Sequence, residues 1–148
     1  MSPIAAFVTL IAALAIAWAV QFELRRRAAL DAYWARGCAG RNWRRSFPGV
    51  PADTIREFLS YVSESFGFEE QRALNLAPND LVIGLYRAHY PDESAPDALE
   101  LETLHLLLGK RYGESRFAAL PENVTFGELL SRAVDARPNT SLESGREK

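Results

Sequence analysis

An uncharged apolar run near the amino terminus limits the possible folds of this chain more than any other feature. The run, residues 4–20 (IAAFVTLIAALAIAWAV), contains 17 residues without a charge. A helix over residues 3–24 would be about 33 Å long at about 1.5 Å per residue, and the hydrocarbon core of a bilayer is about 30 Å thick. The sequence therefore predicts a transmembrane anchor over residues 1–24.

The alternative interpretation of this run is a cleaved secretory signal. Such a signal carries a positive segment before the apolar run and small residues at a cleavage site after it. Here Met-Ser-Pro precedes the run and QFELRRR follows it. These flanks favour an anchor that is not removed.

The arginines near the anchor predict its orientation. Residues 1–50 carry a net charge of +5, and residues 51–148 carry −7. The basic residues all follow the apolar run: Arg25, Arg26, Arg27, Arg36, Arg41, Arg44 and Arg45. Since positive residues stay on the cytoplasmic side, we expect a single-pass protein of the inner (plasma) membrane with a cytoplasmic domain. Trp18 suits the interface on that side.

The same arginines bear on the kinds of partner. Beside a membrane, they are expected to attract anionic lipid together with residues 3–24. A nucleic-acid-binding protein would spread basic residues over a folded face, whereas the domain beyond this stretch is acidic. We therefore expect no nucleic-acid partner.

The rest of the chain divides by composition. A basic juxtamembrane helix and linker are predicted over residues 25–52, because Gly37 and Gly40 interrupt the helix and RSFPGVPAD follows. A helical domain is predicted over residues 53–134. Residues 135–148 contain one large apolar residue, Leu142, and are predicted to be a disordered tail.

Two helices are predicted in the first half of the domain. The first is capped by Asp53 and stopped by Gly67. Its core stripe has helical spacing and comprises Ile55, Phe58, Leu59, Val62 and Phe66. The second is predicted within residues 79–90, capped by Asn79 and closed by Pro91. Its face comprises Leu81, Leu85 and Ala88, flanked by Val82 and His89.

Two more helices are predicted in the second half. Asp97 would cap the first, with Glu100 as capping-box partner and Gly113 as the stop. Its core positions are Leu101, Leu104, Leu108 and Tyr112. Thr125 and Glu128 form a capping box for the last helix, with Val124 and Leu129 as a hydrophobic staple. Its core positions are Leu129, Leu130 and Val134. No stretch alternates like a strand, so the fold class is all-α, with a small four-helix bundle after the anchor.

The order of these helices resembles the acyl carrier proteins. In that family a long first helix and a long connection precede a second helix that opens at Asp-Ser-Leu, and a final helix follows a short turn. Here Asp97-Ala98-Leu99 opens the matching helix, and the match runs without a gap to Gly113. Val124-Thr125 is similar to the family's Ile-Thr. The resemblance covers residues 53–134, with an insertion before Asp97 that holds the 79–90 helix.

One position departs from the family in its chemistry. The resemblance implies a serine hydroxyl that carries phosphopantetheine, but Ala98 has a methyl group in that place. No arm can be attached there, so no cofactor is expected. Ser94 is the nearest serine before Ala98, and it is separated from the helix by Pro96. An unrelated four-helix bundle remains an alternative to the carrier-like fold.

The exposed side of the same helix is the predicted partner-binding site. Leu99 and Leu106 project opposite the core positions, with Glu102, Thr103 and Lys110 around them. The resemblance implies docking of partner proteins at such positions. An exposed apolar pair with a polar rim is a candidate contact site, although scattered surface leucines are also normal.

Little else in the sequence points to chemistry. The single cysteine, Cys38, is predicted to be a small packing residue. His89 and His105 lack the spacing of a metal site and are predicted to be half-buried. Neither GxGxxG nor GxxxxGK[ST] occurs. We therefore expect no catalytic, metal or cofactor-binding residues.

Three functions are compatible with these observations. The leading hypothesis is a membrane-anchored, non-catalytic carrier-like module that binds another protein in the cytoplasm. The second is a membrane-tethered acyl or peptidyl carrier that uses another serine, which labelling with a phosphopantetheinyl transferase would detect. The third is a structural subunit of a membrane complex bound through the helix of residues 1–36. Of the three hypotheses, only this one predicts loss of function when that helix is exchanged for an unrelated anchor.

Overall fold

The structure, a computed structural model, describes residues 3–91, 98–117 and 121–135. Within these ranges the fold is all-helical, as predicted, without a strand. The α-helices are α1 (Pro3–Trp34), α2 (Gly40–Ser46), α3 (Ala52–Phe66), α4 (Glu70–Ala73), α5 (Val82–His89), α6 (Leu99–Tyr112) and α7 (Phe126–Asp135). A single 3-10 turn, Glu114–Arg116, follows α6.

The first helix, α1, is 32 residues long and has two parts that differ in exposure. Every residue from Pro3 to Gln21 is exposed, although most are apolar. By length and composition this helix could cross a membrane, and none of its apolar window is buried against the chain. Towards its end, the Leu30, Tyr33 and Trp34 side chains pack on the helical domain.

Residues 25–52 pack on the domain more closely than the predicted linker would. Trp43 of α2 is only 1% exposed, and its Nε1 donates a hydrogen bond to the Leu76 carbonyl oxygen at 2.7 Å. Its ring lies 6.1 Å from the ring of Phe58 on α3. Cys38 is exposed, so its predicted packing role was wrong. Because arginines surround Trp43 in the sequence, the sequence did not indicate that its side chain would be buried.

Helix α3 forms the centre of the domain and packs against α6. All five predicted stripe residues are buried, and Gly67 ends the helix in the left-handed conformation at φ +67°. The predicted cap was wrong, because Pro51 occupies the N-cap and Asp53 lies within the first turn. Asp53 still places a carboxylate near the positive end of the helix dipole.

Helix α5 begins later than predicted. Its N-cap is the extended Leu81 rather than Asn79, and Leu81 forms an isolated β-bridge with Thr125. The Val82 amide donates a hydrogen bond to the Val124 carbonyl at 3.0 Å, which keeps the preceding residue extended. Leu81 is therefore 40% exposed instead of lying in the core.

The start of α7 agrees with the sequence prediction. The Thr125 amide donates to Glu128 Oε2 at 2.8 Å, and the Glu128 amide donates to Thr125 Oγ1 at 3.1 Å. This reciprocal pair is the predicted capping box. Leu129 and Leu130 are fully buried, Val124 is buried, and Val134 packs at the edge of the core. The rest of the predicted tail, from residue 136 on, lies outside the described residues.

Candidate protein-contact site

The candidate site is the solvent-facing side of α6. Leu104 and Leu108 are fully buried and Tyr112 is 8% exposed, so the predicted core side is confirmed; Leu101 is partly buried beside them. This packing fixes which side of the helix faces outward. The predicted partner-binding residues, which lie on the other side of the helix, must therefore be at the surface.

The first turn of α6 contains the position that departs from the carrier family. Ala98 is the N-cap, and its carbonyl oxygen accepts a hydrogen bond from the Glu102 amide at 2.9 Å. The exposed side chain at this point is a methyl group, which has no oxygen to modify. Asp97, the predicted cap, and Ser94 lie outside the described residues.

Glu100 binds a residue outside its own helix. Its Oε1 accepts a hydrogen bond from the Tyr90 hydroxyl, at the end of α5. The Tyr90 ring also lies near the Tyr86 ring, with 5.1 Å between their centroids and 41° between their planes. The carboxylate therefore joins the start of α6 to the end of α5.

Both leucines of the predicted site are exposed. Leu99 is 59% exposed and Leu106 is 73% exposed, the latter more than any other large hydrophobic residue outside α1 among the described residues. They are seven residues apart, so they lie on one stripe, about 10 Å from each other. Glu102 and Lys110 are exposed on the same stripe, and Thr103 is partly buried. The structure thus brings all five predicted residues to one side of α6.

A groove runs beside Leu106. It has a volume of about 460 Å³ and is lined by Glu102, His105, Leu106, Gly109 and Glu114. Gly109 allows the chain to fold back closely, because a Cβ there would lie 3.3 Å from the Glu114 Cα. The groove therefore combines an apolar wall with two carboxylates. A partner segment with an apolar side chain and a nearby cation would match it.

Sequence reasoning missed three of the groove residues. The sequence predicts His105 only as a satisfied or half-buried histidine, and it places neither Gly109 nor Glu114 among the partner-binding residues. A glycine inside a helix, four residues before the glycine that ends it, was an available signal for close backbone approach. The position of Glu114 depends on the 3-10 turn after Gly113, whose φ is +111°.

His105 lies between two grooves. It also lines a second one, of about 310 Å³, with Leu101, Val82 and residues before α7. Its Nε2 is buried without a hydrogen-bond partner among the described residues. Burial lowers the pKa of the ring, which favours the neutral imidazole at physiological pH.

His89 is the other histidine, and it is buried at 7% exposure. Its Nδ1 lies 3.1 Å from the Leu85 carbonyl oxygen, and its ring centroid is 5.6 Å from that of Phe66. Over the described ranges, no three His, Cys, Asp or Glu side chains are grouped so that they could hold a metal ion. The two histidines lie on different helices and have different neighbours.

Comparison with known proteins gave no relative. No protein-family model, curated protein or solved structure matches the chain. The resemblance to the acyl carrier proteins therefore depends on the residues of α6 and α7 named above, and function must be argued from the surface itself.

Proposed function

We propose that this chain is a single-pass membrane protein that displays a carrier-like helical domain to the cytoplasm and acts by binding another protein. The binding surface comprises Leu99, Glu102, Thr103, Leu106 and Lys110. The exposure of Leu106 beside the groove is the observation that supports this proposal most strongly. Exposed apolar residues with a polar rim are typical of protein-contact sites.

The anchor is supported by α1. Its first part has the length and composition of a membrane-crossing helix, and none of its apolar window is buried within the described structure. Arg25, Arg26 and Arg27 follow directly. Positive residues at this end favour a cytoplasmic location for everything that follows.

A carrier-like four-helix arrangement would use α3, α5, α6 and α7. The positions of α6 that match the carrier family support this arrangement, and so does the capping box of α7. In a carrier, the residue at position 98 would hold the prosthetic arm; the methyl of Ala98 supports a role in which the helix binds without transferring a group. The domain would then use a carrier's docking surface without a carrier's cargo.

The groove suggests the chemistry of the partner. Burying the Leu106 side chain in a partner pocket contributes about 1.5–3 kcal/mol. Glu102 and Glu114 lie at the groove and would pair with a lysine or arginine of the partner. We therefore expect a partner segment that presents an apolar residue next to a basic one.

The direct test is co-purification of partners with the tagged full chain from its native membranes. Leu106→Asp should reduce the recovery of a specific partner about tenfold or more, since one lost hot-spot contact of about 1.4–2 kcal/mol has that effect. Leu74→Asp is the matched control, because Leu74 is also exposed but lies at the end of α4. Circular dichroism should be unchanged in both variants.

Two results would count against the proposal. Equal recovery of every protein with wild type and Leu106→Asp would reject this surface. Stable labelling of the full chain by a phosphopantetheinyl transferase with labelled coenzyme A would favour the carrier function through another serine.

A further inference from the structure

The domain lies beside α1 soon after the apolar segment ends, and it packs on this helix from Leu30 on. The exposed apolar residues of α1 continue to Leu24, and Arg26 already lines a cavity of about 260 Å³ together with Phe68 and His89 of the domain. Two residues of helix correspond to about 3 Å. No flexible linker separates the apolar segment from the domain, because α1 is one continuous helix to Trp34.

This spacing sets the level of the domain relative to a bilayer. A hydrocarbon core of about 30 Å takes up about 20 helical residues, and the headgroup layer adds about 5–7 Å on each side. Counted from Pro3, the core ends near Glu23, and the headgroup layer extends over about the next four residues. Arg26 then lies within the headgroup layer.

Helix α5 runs back towards the level of the headgroup layer. Near its start, Asp80 pairs with Arg36 beyond the far end of α1, at 2.7 Å. Its last residue, His89, lines the cavity with Arg26. Helix α5 therefore runs antiparallel to α1, and Tyr90 follows at the membrane end of the domain.

Helix α6 starts at the same end and leads away from it. Its first turn is joined to Tyr90 through Glu100. Its last turn is joined to Glu57 of α3 through Arg111, at 2.6 Å. Glu57 lies nine residues before Phe66, the α3 residue whose ring is 5.6 Å from that of His89. Leu99 is consequently at the membrane end, and Leu106 is about 10 Å further out.

We propose that the end of the domain formed by Phe68, Tyr90 and Leu99 rests in the headgroup layer of the membrane, with the Leu99 side chain at its apolar boundary. This inference rests on the proposed membrane anchoring. The bilayer is the occupant that fits, because the domain lies beside α1 where its apolar part ends, and residues 23–27 there, with a net charge of +2, attract anionic lipid phosphates. An exposed leucine and a tyrosine are typical of such an interface.

The two leucines of the predicted site then have different roles. Leu99 contacts lipid at the membrane-facing edge of the proposed binding surface, and Leu106 with its groove remains open to a protein. The domain is held in one orientation by the packing of α1 on α5, so Leu106 is presented at a fixed height above the membrane. A partner would approach it along the membrane surface.

The test measures the depth of single labelled sites in the full chain. Cys38→Ser provides a background without cysteine, and Leu99→Cys, Leu106→Cys and Leu14→Cys each carry one fluorescent label in nanodiscs of zwitterionic and anionic phospholipid. Lipids with a nitroxide on the headgroup should quench the label at position 99 at least twofold more than the label at position 106. Lipids with a nitroxide in the acyl chain should quench the label at position 14.

The outcomes separate this inference from the proposed function. Quenching at position 14 with equal quenching at positions 99 and 106 would overturn the membrane contact and leave the anchor standing. A label at position 99 that is immobile but not quenched would also overturn it, in favour of a protein contact. Absence of quenching at position 14 would refute the anchor, and the membrane contact with it.

Discussion

Arg36 Nη1 donates a hydrogen bond to each carboxylate oxygen of Asp80, at 2.7 Å to Oδ1 and 2.9 Å to Oδ2. Asp80 Oδ2 also accepts a hydrogen bond from the Ala77 amide at 2.7 Å, and the Asp80 carbonyl accepts one from the Phe126 amide at 3.0 Å. A single residue before α5 thus joins the end of α1, the preceding turn and the start of α7. This arrangement makes the end of α1 a part of the domain.

Replacing Asp80 should therefore cost more stability than replacing its partner. Asp80→Ala leaves the Ala77 amide and the Arg36 guanidinium without their acceptor and should lower the free energy of unfolding by about 2 kcal/mol. Arg36→Ala should cost less than about 1 kcal/mol, because the Arg36 side chain is 43% exposed. Urea titration of the full chain in micelles, followed by tryptophan fluorescence, measures both. Equal losses would show that the Ala77 hydrogen bond contributes nothing.

The capping box of α7 should also be measurable. Thr125→Ala removes the Oγ1 acceptor of the Glu128 amide and should destabilise the domain by about 1 kcal/mol. Ser131→Ala is the control within the same helix, since its hydroxyl only donates to the Gly127 carbonyl at 3.1 Å. It should change stability by less than about 0.5 kcal/mol. The same urea titration compares the two variants, and a larger effect at Ser131 would contradict the assignment.

The close approach of α7 to the turn before α5 requires a glycine. A Cβ on Gly127 would lie 3.0 Å from the Pro78 carbonyl oxygen and 3.2 Å from the Pro78 Cβ. Gly127→Ala should therefore cost about 1–3 kcal/mol, as overpacking does, despite the better helix propensity of alanine. Gly49→Ala, where nothing lies within 4 Å, should be nearly neutral. A neutral Gly127→Ala would mean that the two segments separate at no cost.

Acid should destabilise the domain through His89. Burial lowers the pKa of this ring in the folded state, and the nearby charge of Arg26 acts in the same direction against the hydrogen bond to Leu85. The unfolded state binds the proton more readily, so stability is complete above the unfolded pKa of about 6.5 and falls as the pH drops below it. His89→Gln should reduce the slope of stability between about pH 6.5 and 5. His105→Gln should reduce it less, because that ring is less buried. An unchanged slope in His89→Gln would contradict this account.

Features that depend on neighbours in sequence were predictable. The stripe of α3, the buried side of α6 and the Thr125–Glu128 capping box all follow from spacing of three or four residues. The exposure of Leu99 and Leu106 follows from the same spacing, because the buried side of a helix defines its free side. Local hydrogen bonds and periodicity are enough for these features.

Features that depend on distant contacts were not predictable. The start of α5 is set by the pairing of Leu81 with Thr125, and Trp43 is buried by contacts with Leu76 and Phe58. Each of these brings together residues whose separation in sequence carries no periodic signal.

The most direct test of the proposed binding surface is photo-crosslinking from position 106 of the full chain in its native membranes. A photoreactive amino acid in place of Leu106 should give one discrete protein adduct, and the same substitution for Leu74 should not give it. Adducts of identical pattern from both positions, or adducts with lipid alone from position 106, would contradict the proposal that this side of α6 binds a protein.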